Sequence, residues 1–221
     1  MSAEVKDVMT TRVVAVKMAT TFKEMATRLR QHRVSAFPVV DDDERVVGVV
    51  SEADMLTKEA LVASAGLRPD PPTRLPHRTE FIKAGAVTAA DLMSTPPITI
   101  SPEELVSSAA RLMYSFKVKR LPVVDDANHL VGIISRADVL SVYSRPDAEI
   151  QQVIQDLVKL NQAFVASDRF TVSVKNGVVT LEGHLADTGS GQDIVADAWH
   201  VEGVVSVRDR FDYPLGDAEE I

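Results

Sequence analysis

The chain contains no cysteine, and this absence excludes disulfide bonds, thiol nucleophiles and cysteine-ligated metals. It also has no run of 18 apolar residues, so no transmembrane helix is predicted. The N-terminal residues Met1–Asp7 lack the basic region and the apolar stretch of a signal peptide. We therefore expect a cytoplasmic protein. Its 221 residues, of which 45% are apolar and 25% charged, suit one large globular domain or two ordinary ones.

Familiar catalytic patterns are missing as well. The sequence has no glycine-rich phosphate loop, nucleophile elbow, HExxH motif or paired catalytic carboxylates. The histidines are scattered without metal-ligand spacing, at His32, His77, His129, His184 and His200. We therefore predict a non-catalytic protein with no required cofactor and no metal site.

Negative charge is concentrated towards the C-terminus. Residues 1–143 hold 18 basic and 18 acidic side chains, whereas residues 144–221 hold 6 basic and 14 acidic ones. This difference predicts a domain boundary near Ser144–Asp147. The acidic C-terminal part is unsuited to binding nucleic acid or an anionic membrane by bulk electrostatics, so no nucleic-acid partner is expected.

An internal repeat is the most informative feature that is present. Asp7–Leu56 recurs 84 positions later as Asp91–Leu140, without a gap and with 16 identities. The repeated elements are Pro-Val-Val-Asp-Asp (from Pro38 and Pro122) and Gly-x-x-Ser-x-x-Asp (from Gly48 and Gly132). This self-similarity indicates duplication of one structural unit. Duplicated units tend to pack about a pseudo-twofold axis, which creates equivalent clefts where ligands bind.

Each copy predicts the element order strand, helix, strand, strand, helix. The helix has an apolar stripe at i, i+3, i+4 and i+7, and in the second copy Ser101–Glu104 is a favourable helix start. The next two β-branched runs predict a hairpin. Gly48 and Gly132 lie inside strand-like runs, where the missing side chain indicates close approach by another backbone or a ligand.

In these motifs the sequence resembles a tandem pair of CBS (cystathionine β-synthase) domains, together called a Bateman module, over residues 5–143. The expected boundaries are repeat 1 at 1–56 and repeat 2 at 88–143. Between them, residues 57–87 form a proline-rich basic insert that contains Arg68, Arg74, Arg78 and Lys83. We interpret the insert as a linker wrapping the module, with a partner-contact role as the alternative.

The resemblance implies adenosine-containing ligands, such as AMP, ADP, ATP or related adenosyl compounds, in the clefts between repeats. It assigns the ribose hydroxyls to the aspartate and the phosphate to the serine of each Ser-x-x-Asp. The matching pairs are Ser51 with Asp54 and Ser135 with Asp138. The strand edges at Pro38 and Pro122 are expected to flank the adenine. The alternative is that Ser-x-x-Asp is only a helix start and the clefts stay empty.

The two copies differ in charge just before Pro-Val-Val. Lys119 and Arg120 in the second copy replace Ser35 and Ala36 in the first. Our hypothesis is that Lys119 and Arg120 bind phosphate, which makes the two clefts inequivalent. The alternative is that they are solvated edge charges that discourage strand pairing.

The C-terminal part predicts a smaller module with the order α-β-β-α-β. A linker at 144–148 leads to this module at 149–213, and an acidic tail follows at 214–221. The expected elements are a helix over 148–166, a hairpin turning at Asn176-Gly177, a helix over 191–200 and a strand over 204–211. The fold class is therefore mixed α+β throughout.

In Val174–Gly183 and Val201–Val204 this part resembles a BON domain, a small bacterial module thought to engage phospholipids or membrane partners. Its acidity disfavours the lipid role, so we expect docking or assembly, with a plain structural appendage as the alternative. For the whole chain the sequence favours a regulatory sensor of adenine nucleotides that relays to a protein partner or the BON-like module. The CBS resemblance implies a homodimer. The rival functions are a ligand-free stress-associated interaction protein and a membrane-surface protein.

Overall fold

The computed structural model describes residues 3–57, 87–160, 170–185 and 188–213. The insert at 58–86, the end of the predicted helix over 148–166 and the acidic tail at 214–221 lie outside the described residues. Backbone contacts divide the chain into two compact units. One comprises Met9–Glu104 with Ser108–Ser135, and the other comprises Met1–Val8, Leu105–Ser107 and Arg136–Ile221.

The two repeats fold as predicted, with mixed α+β structure. The first contains α1 (Val5–Val8), β1 (Val16–Lys17), α2 (Phe22–His32), β2 (Ala36–Val40), β3 (Val46–Ser51) and α3 (residues 52–57). The second contains α4 (Ala89–Leu92), α5 (Val106–Ser115), β4 (Arg120–Val124), β5 (Leu130–Ser135) and α6 (Arg136–Ser141), then a short 3-10 turn (Val142–Ser144). The first strand expected in repeat 2 is reduced to a single parallel bridge between Ile100 and Val123.

Both predicted hairpins form with the same register. β2 pairs with β3 and β4 with β5 in antiparallel fashion, placing Val39 opposite Gly48 and Val123 opposite Gly132. An aspartate side chain closes each turn. The Oδ1 of Asp41 accepts the backbone N–H groups of residues 43 and 45, and Asp125 does the same for residues 127 and 129. The duplicated aspartates therefore define the turns of the hairpins.

The repeats exchange their N-terminal segments. Thr10 of the first repeat exchanges two backbone hydrogen bonds with Ile133 in β5, and Ser94 of the second exchanges two with Val49 in β3. The methionine before each of these residues packs on a glycine of the other repeat. A Cβ built on Gly48 would lie 2.6 Å from Met93 Sδ, and one built on Gly132 would approach Met9 Sδ more closely still. The close neighbour of each glycine is thus a methionine, whereas the sequence indicated a backbone or ligand.

The predicted helix start at Ser101–Glu104 is wrong, because α5 begins only at Val106. The backbone just before this helix has other partners. Leu105 forms an isolated antiparallel bridge with Glu4, and the N–H of Val106 donates to the carbonyl of Ala3. These long-range pairings override the local preference for a helical turn at the Ser-Pro-Glu-Glu sequence.

The core of repeat 1 forms where the sheet meets its helices. Its buried side chains are Val16, Met25, Phe37, Val39, Val50, Met55, Ala89 and Leu92. Phe37 and Met25 are fully inaccessible to solvent, so the apolar stripe of α2 and the hairpin are packed against each other. Ala89 and Leu92 belong to α4, at the start of repeat 2, which shows again that the two repeats share structure.

The C-terminal module has the predicted order α-β-β-α-β. It contains α7 (Asp147–Leu160), β6 (Thr171–Lys175), β7 (Val178–His184), α8 (Thr188–Trp199) and β8 (Ser206–Asp212). The sheet order is β6-β7-β8, with an antiparallel pair followed by a parallel one. The second helix begins three residues earlier than expected, and buried residues of both helices pack with the sheet around Val179 and Leu181.

Asp147 ties the start of α7 to the hairpin turn. Its two carboxylate oxygens accept the backbone N–H groups of Asn176 and Gly177, at 2.7 and 2.8 Å. Both turn residues have positive φ angles, 53° for Asn176 and 72° for Gly177, as a tight Asn-Gly turn requires. Bonds of this type to a charged acceptor are stronger than neutral ones. The carboxylate therefore helps to fix the sheet against the helix.

Candidate functional site

A cavity of about 310 Å³ lies within the larger unit, between the two repeats. Its volume falls in the range of small-molecule sites, roughly 300–1,000 Å³. Polar lining comes from Ser35, Ser51, Glu52, Asp54, Ser94, Lys117, Lys119 and Arg120, and apolar lining from Ala36, Val49, Ala53, Pro96, Pro97, Ile98 and Val118. Four of the eight predicted site residues are therefore brought together: Ser51, Asp54, Lys119 and Arg120.

Ser51 and Asp54 form one wall, where β3 passes directly into α3. The Oδ2 atom of Asp54 accepts hydrogen bonds from the backbone N–H of Ser51 at 2.9 Å and from its hydroxyl at 2.6 Å. In return, the Ser51 hydroxyl oxygen accepts the N–H of Asp54 at 3.4 Å. The motif is thus a helix start, as its alternative interpretation required, and it also holds a half-buried carboxylate at the cavity surface.

The segment between α5 and β4 forms a basic wall. Arg120 is half-buried, and its guanidinium donates a 2.5 Å hydrogen bond to the hydroxyl of Ser35 in the first repeat. Lys117 and Lys119 are exposed. The contact joins the residue before β2 to the first residue of β4. Arg120 is therefore oriented by a specific partner, and its role in binding phosphate stays a prediction.

The apolar residues of the lining were not predicted from the sequence. Pro96, Pro97 and Ile98 follow the exchanged segment at Ser94, and Val118 lies between the two lysines. Pro96 follows a cis peptide bond to Thr95. The signal in the sequence was the adjacent proline pair, for which the first repeat has Arg12 and Val13 at the corresponding positions.

The other predicted site residues do not line this cavity. Pro38 and Pro122 are buried in β2 and β4, where they pair with Val49 and Ile133. Ser135 ends β5 opposite Arg120, and Asp138 lies in the first turn of α6. The adenine-flanking role of the prolines and the second ligand pair stay predictions.

The positive and negative side chains of the cavity lining come from two different segments of the chain. Three cations occur within residues 117–120, and two carboxylates, Glu52 and Asp54, occur at the start of α3. A carboxylate accepts hydrogen bonds from hydroxyl groups, whereas a guanidinium and ammonium groups bind phosphate. Proline, isoleucine and valine side chains provide apolar surface for a flat ring. The arrangement can therefore hold a ligand with a ring, hydroxyls and an anionic end.

Two carboxyl groups away from this cavity have lowered pKa values. Hydrogen bonding from the His129 backbone lowers the pKa of Asp125 below 3.8, and the Gln152 side chain lowers that of Asp156. Within the described stretches, no group of three or more His, Cys, Asp or Glu side chains is arranged to hold a metal ion. No helix among these residues is long and apolar enough to span a membrane.

Comparison with known proteins agrees with this architecture. The CBS domain family matches residues 5–60 and 89–145, which together are more than half of the sequence. The chain belongs to the CBS domain family. Its second CBS domain is followed by a BON domain, which matches residues 146–214.

The pair of CBS domains carries the similarity to curated relatives. A protein of Methanopyrus kandleri, MK0525, is 30% identical over 141 residues, covering 64% of this chain and 63% of that protein. The chloroplastic CBS domain-containing protein CBSX1 of Arabidopsis thaliana is 32% identical over 133 residues, covering 57% of this chain and 56% of that protein. The matched part thus spans less than two thirds of these relatives' length.

Solved structures show the same fold. CBSX2 in complex with AMP is 30% identical, with a TM-score of 0.50 over 62% of this chain and 93% of that one. The CBS domain pair of MJ0100, at 22% identity, has a TM-score of 0.52 over 65% of this chain and 98% of that one. The CBSX2 structure therefore combines 30% identity with a bound nucleotide.

Proposed function

We propose that this protein is a non-catalytic regulator that binds an adenine nucleotide in the cavity between its CBS repeats. The observation that carries the proposal is that a half-buried carboxylate, Asp54, and a guanidinium oriented by Ser35, Arg120, line the same cavity. The AMP complex of CBSX2, a relative with the same fold, supports an adenosine phosphate as the ligand.

In the proposed complex each wall recognises one part of the nucleotide. Ser51 positions the Asp54 carboxylate through two hydrogen bonds to Oδ2, and the remaining acceptor capacity of this carboxylate takes the ribose hydroxyls. Arg120 and Lys119 bind the phosphate. The apolar surface of Pro97, Ile98 and Val118 takes the adenine ring. Ser35 keeps the guanidinium of Arg120 oriented before the ligand arrives, which reduces the entropy lost on binding.

Isothermal titration calorimetry with adenosine and AMP tests this assignment. Asp54→Asn preserves the volume of the side chain but removes its charge, so we expect both affinities to fall at least about tenfold. Asp43→Asn is the matched control. It makes the same charge change at an exposed side chain outside the cavity lining and should leave both affinities unchanged.

Arg120→Ala separates phosphate recognition from nucleoside recognition. The affinity for AMP should fall about tenfold or more, because a charge-assisted contact to phosphate is lost, while that for adenosine stays within about twofold. Equal affinities of the variant and the native protein for AMP would remove Arg120 from the site. A thermal unfolding temperature of the native protein that no adenosine phosphate raises would favour the ligand-free alternative.

For the BON domain we propose docking to a protein, with nucleotide binding relayed to it or to a partner. The exposed side of the sheet is polar where it can be described. Thr171, Ser173 and Lys175 project from β6, and Arg210 pairs with Glu182 across β7 and β8. Liposome co-sedimentation tests this interpretation, since binding retained by residues 148–213 in anionic vesicles would support the membrane-surface alternative.

A ligand relays a signal only if it binds two arrangements with different affinities. Hydrogen exchange of the BON domain, measured with and without AMP, therefore tests the relay. The expected homodimer also stays a prediction, which light scattering of the full chain tests. Leu56 and Leu140 hold corresponding positions in the two repeats and are 68% and 63% exposed, so they are suitable positions for substitution to serine.

A further inference from the structure

We infer that the cavity discriminates between nucleotides by phosphate number, and that Lys117, positioned by Tyr114, is the residue that does so. This inference rests on the proposed nucleotide site. It predicts that ADP and ATP bind more tightly than AMP, because Lys117 binds an outer phosphate, and it assigns a role to a cation outside the predicted site residues.

The first observation is how Lys117 is held. Its Nζ lies 4.2 Å from the centre of the Tyr114 ring, in the geometry of a cation–π interaction. Lys117 itself follows the end of α5 with a φ of 58°, in the left-handed region. A lysine is ordinarily a mobile surface charge with three donors. Here the contact with the ring restrains the ammonium, while Lys117 remains part of the cavity lining.

The second observation is the gradation of exposure along the basic wall. Arg120 is half-buried and bonded to Ser35, whereas Lys117 and Lys119 are exposed. All three cations line the cavity, the guanidinium with less access to solvent than the two ammonium groups. In the inferred complex Arg120 binds the α-phosphate, and Lys117 binds an outer phosphate where the nucleotide has one.

The third observation is that the sequence of the other repeat has no equivalent of the Tyr114–Lys117 pair. The positions that correspond to Tyr114 and Lys117 hold Arg30 and Arg33, so no aromatic ring is available at the matching place. The tyrosine is 76% exposed, and its ring contacts the Lys117 ammonium. In the inferred arrangement the ring holds this ammonium for the outer phosphate.

Calorimetric titration of the full chain with AMP, ADP and ATP tests the inference. In Lys117→Met we expect the affinities for ADP and ATP to fall about fivefold, as for one solvent-exposed ion pair, and that for AMP to stay within about twofold. Tyr114→Leu should give the same selective loss to a smaller extent, because the ammonium is then present but not held. Lys23→Met is the matched control, with the same charge change at an exposed lysine outside the cavity lining.

The outcomes separate this inference from the proposed function. If AMP binds but Lys117→Met weakens AMP, ADP and ATP by the same factor, Lys117 acts by general electrostatics and the discrimination is refuted. The same conclusion follows if Lys117→Met and Lys23→Met behave alike. If the native protein binds none of the three nucleotides, the proposed function and this inference both fail.

Discussion

Substitution of Gly48 by alanine tests the exchange of segments between the repeats. A Cβ at this position would lie 2.6 Å from Sδ, 2.9 Å from Cγ and 3.0 Å from Cβ of Met93. Because the Cβ atom of Met93 is fixed to its backbone, rotation of the outer part of the Met93 side chain cannot relieve the whole overlap. At Gly132 the overlap is mainly with Met9 Sδ, whose Cγ and Cε lie at 3.2 and 3.3 Å. Met9 can therefore turn away.

These distances set the expected magnitudes. Overpacking a well-packed site costs about 1–3 kcal/mol. Replacing glycine by alanine in a strand interior otherwise stabilises the folded protein by roughly 0.5–1 kcal/mol. We therefore expect Gly48→Ala to lower the free energy of unfolding by about 1–2 kcal/mol, and Gly132→Ala to change it by less than about 1 kcal/mol.

Hydrogen exchange in urea, followed in peptides that cover β2 and β3, measures the effect in the CBS repeats. The single tryptophan, Trp199, lies in the BON domain, so its fluorescence reports that domain instead. In a Met93→Ala background the cost of Gly48→Ala should vanish, because the overlapping side chain is gone. The same cost in both backgrounds would refute the exchange.

Three further predictions concern the turns and the surface. Asp147→Ala should lower the stability of the BON domain by about 1–3 kcal/mol, read from Trp199 fluorescence, because two turn N–H groups lose a charged acceptor. The His129 backbone N–H is the chief cause of the lowered pKa of Asp125 in the folded protein. The ionised Asp125 therefore stabilises the fold above its ordinary pKa of 3.8, and this stabilisation is lost as the pH falls through the lower folded pKa. Asp125→Asn should therefore show a flatter stability profile below about pH 4. Glu182→Gln, which breaks the exposed pair with Arg210, should cost less than about 1 kcal/mol in urea unfolding, and a larger loss would contradict its surface character.

The hairpins were predictable because their information is local. Pro-Val-Val, an aspartate directly after it and a β-branched run specify strand, turn and strand within about 15 residues, and both copies repeat them. The start of α5 was not predictable, since its outcome depends on Ala3 and Glu4, which are about a hundred positions away. A local helix signal at Ser101 carries no information about that pairing.

Part of the site was predictable for the same reason. The motif that contains Ser51 and Asp54 is local, so its position at a strand end followed from the sequence. The hydrogen bond between Arg120 and Ser35 joins residues 85 positions apart, and the packing of Met93 on Gly48 joins residues 45 apart. Such contacts depend on how the repeats are docked, which periodicity and composition do not encode.

A crystal structure of the protein grown with AMP tests the central claim most directly. The account predicts that the ribose hydroxyls lie within hydrogen-bond distance of the Asp54 carboxylate and that the phosphate contacts the Arg120 guanidinium. A nucleotide bound elsewhere on the chain, or an empty cavity at saturating AMP, would contradict it.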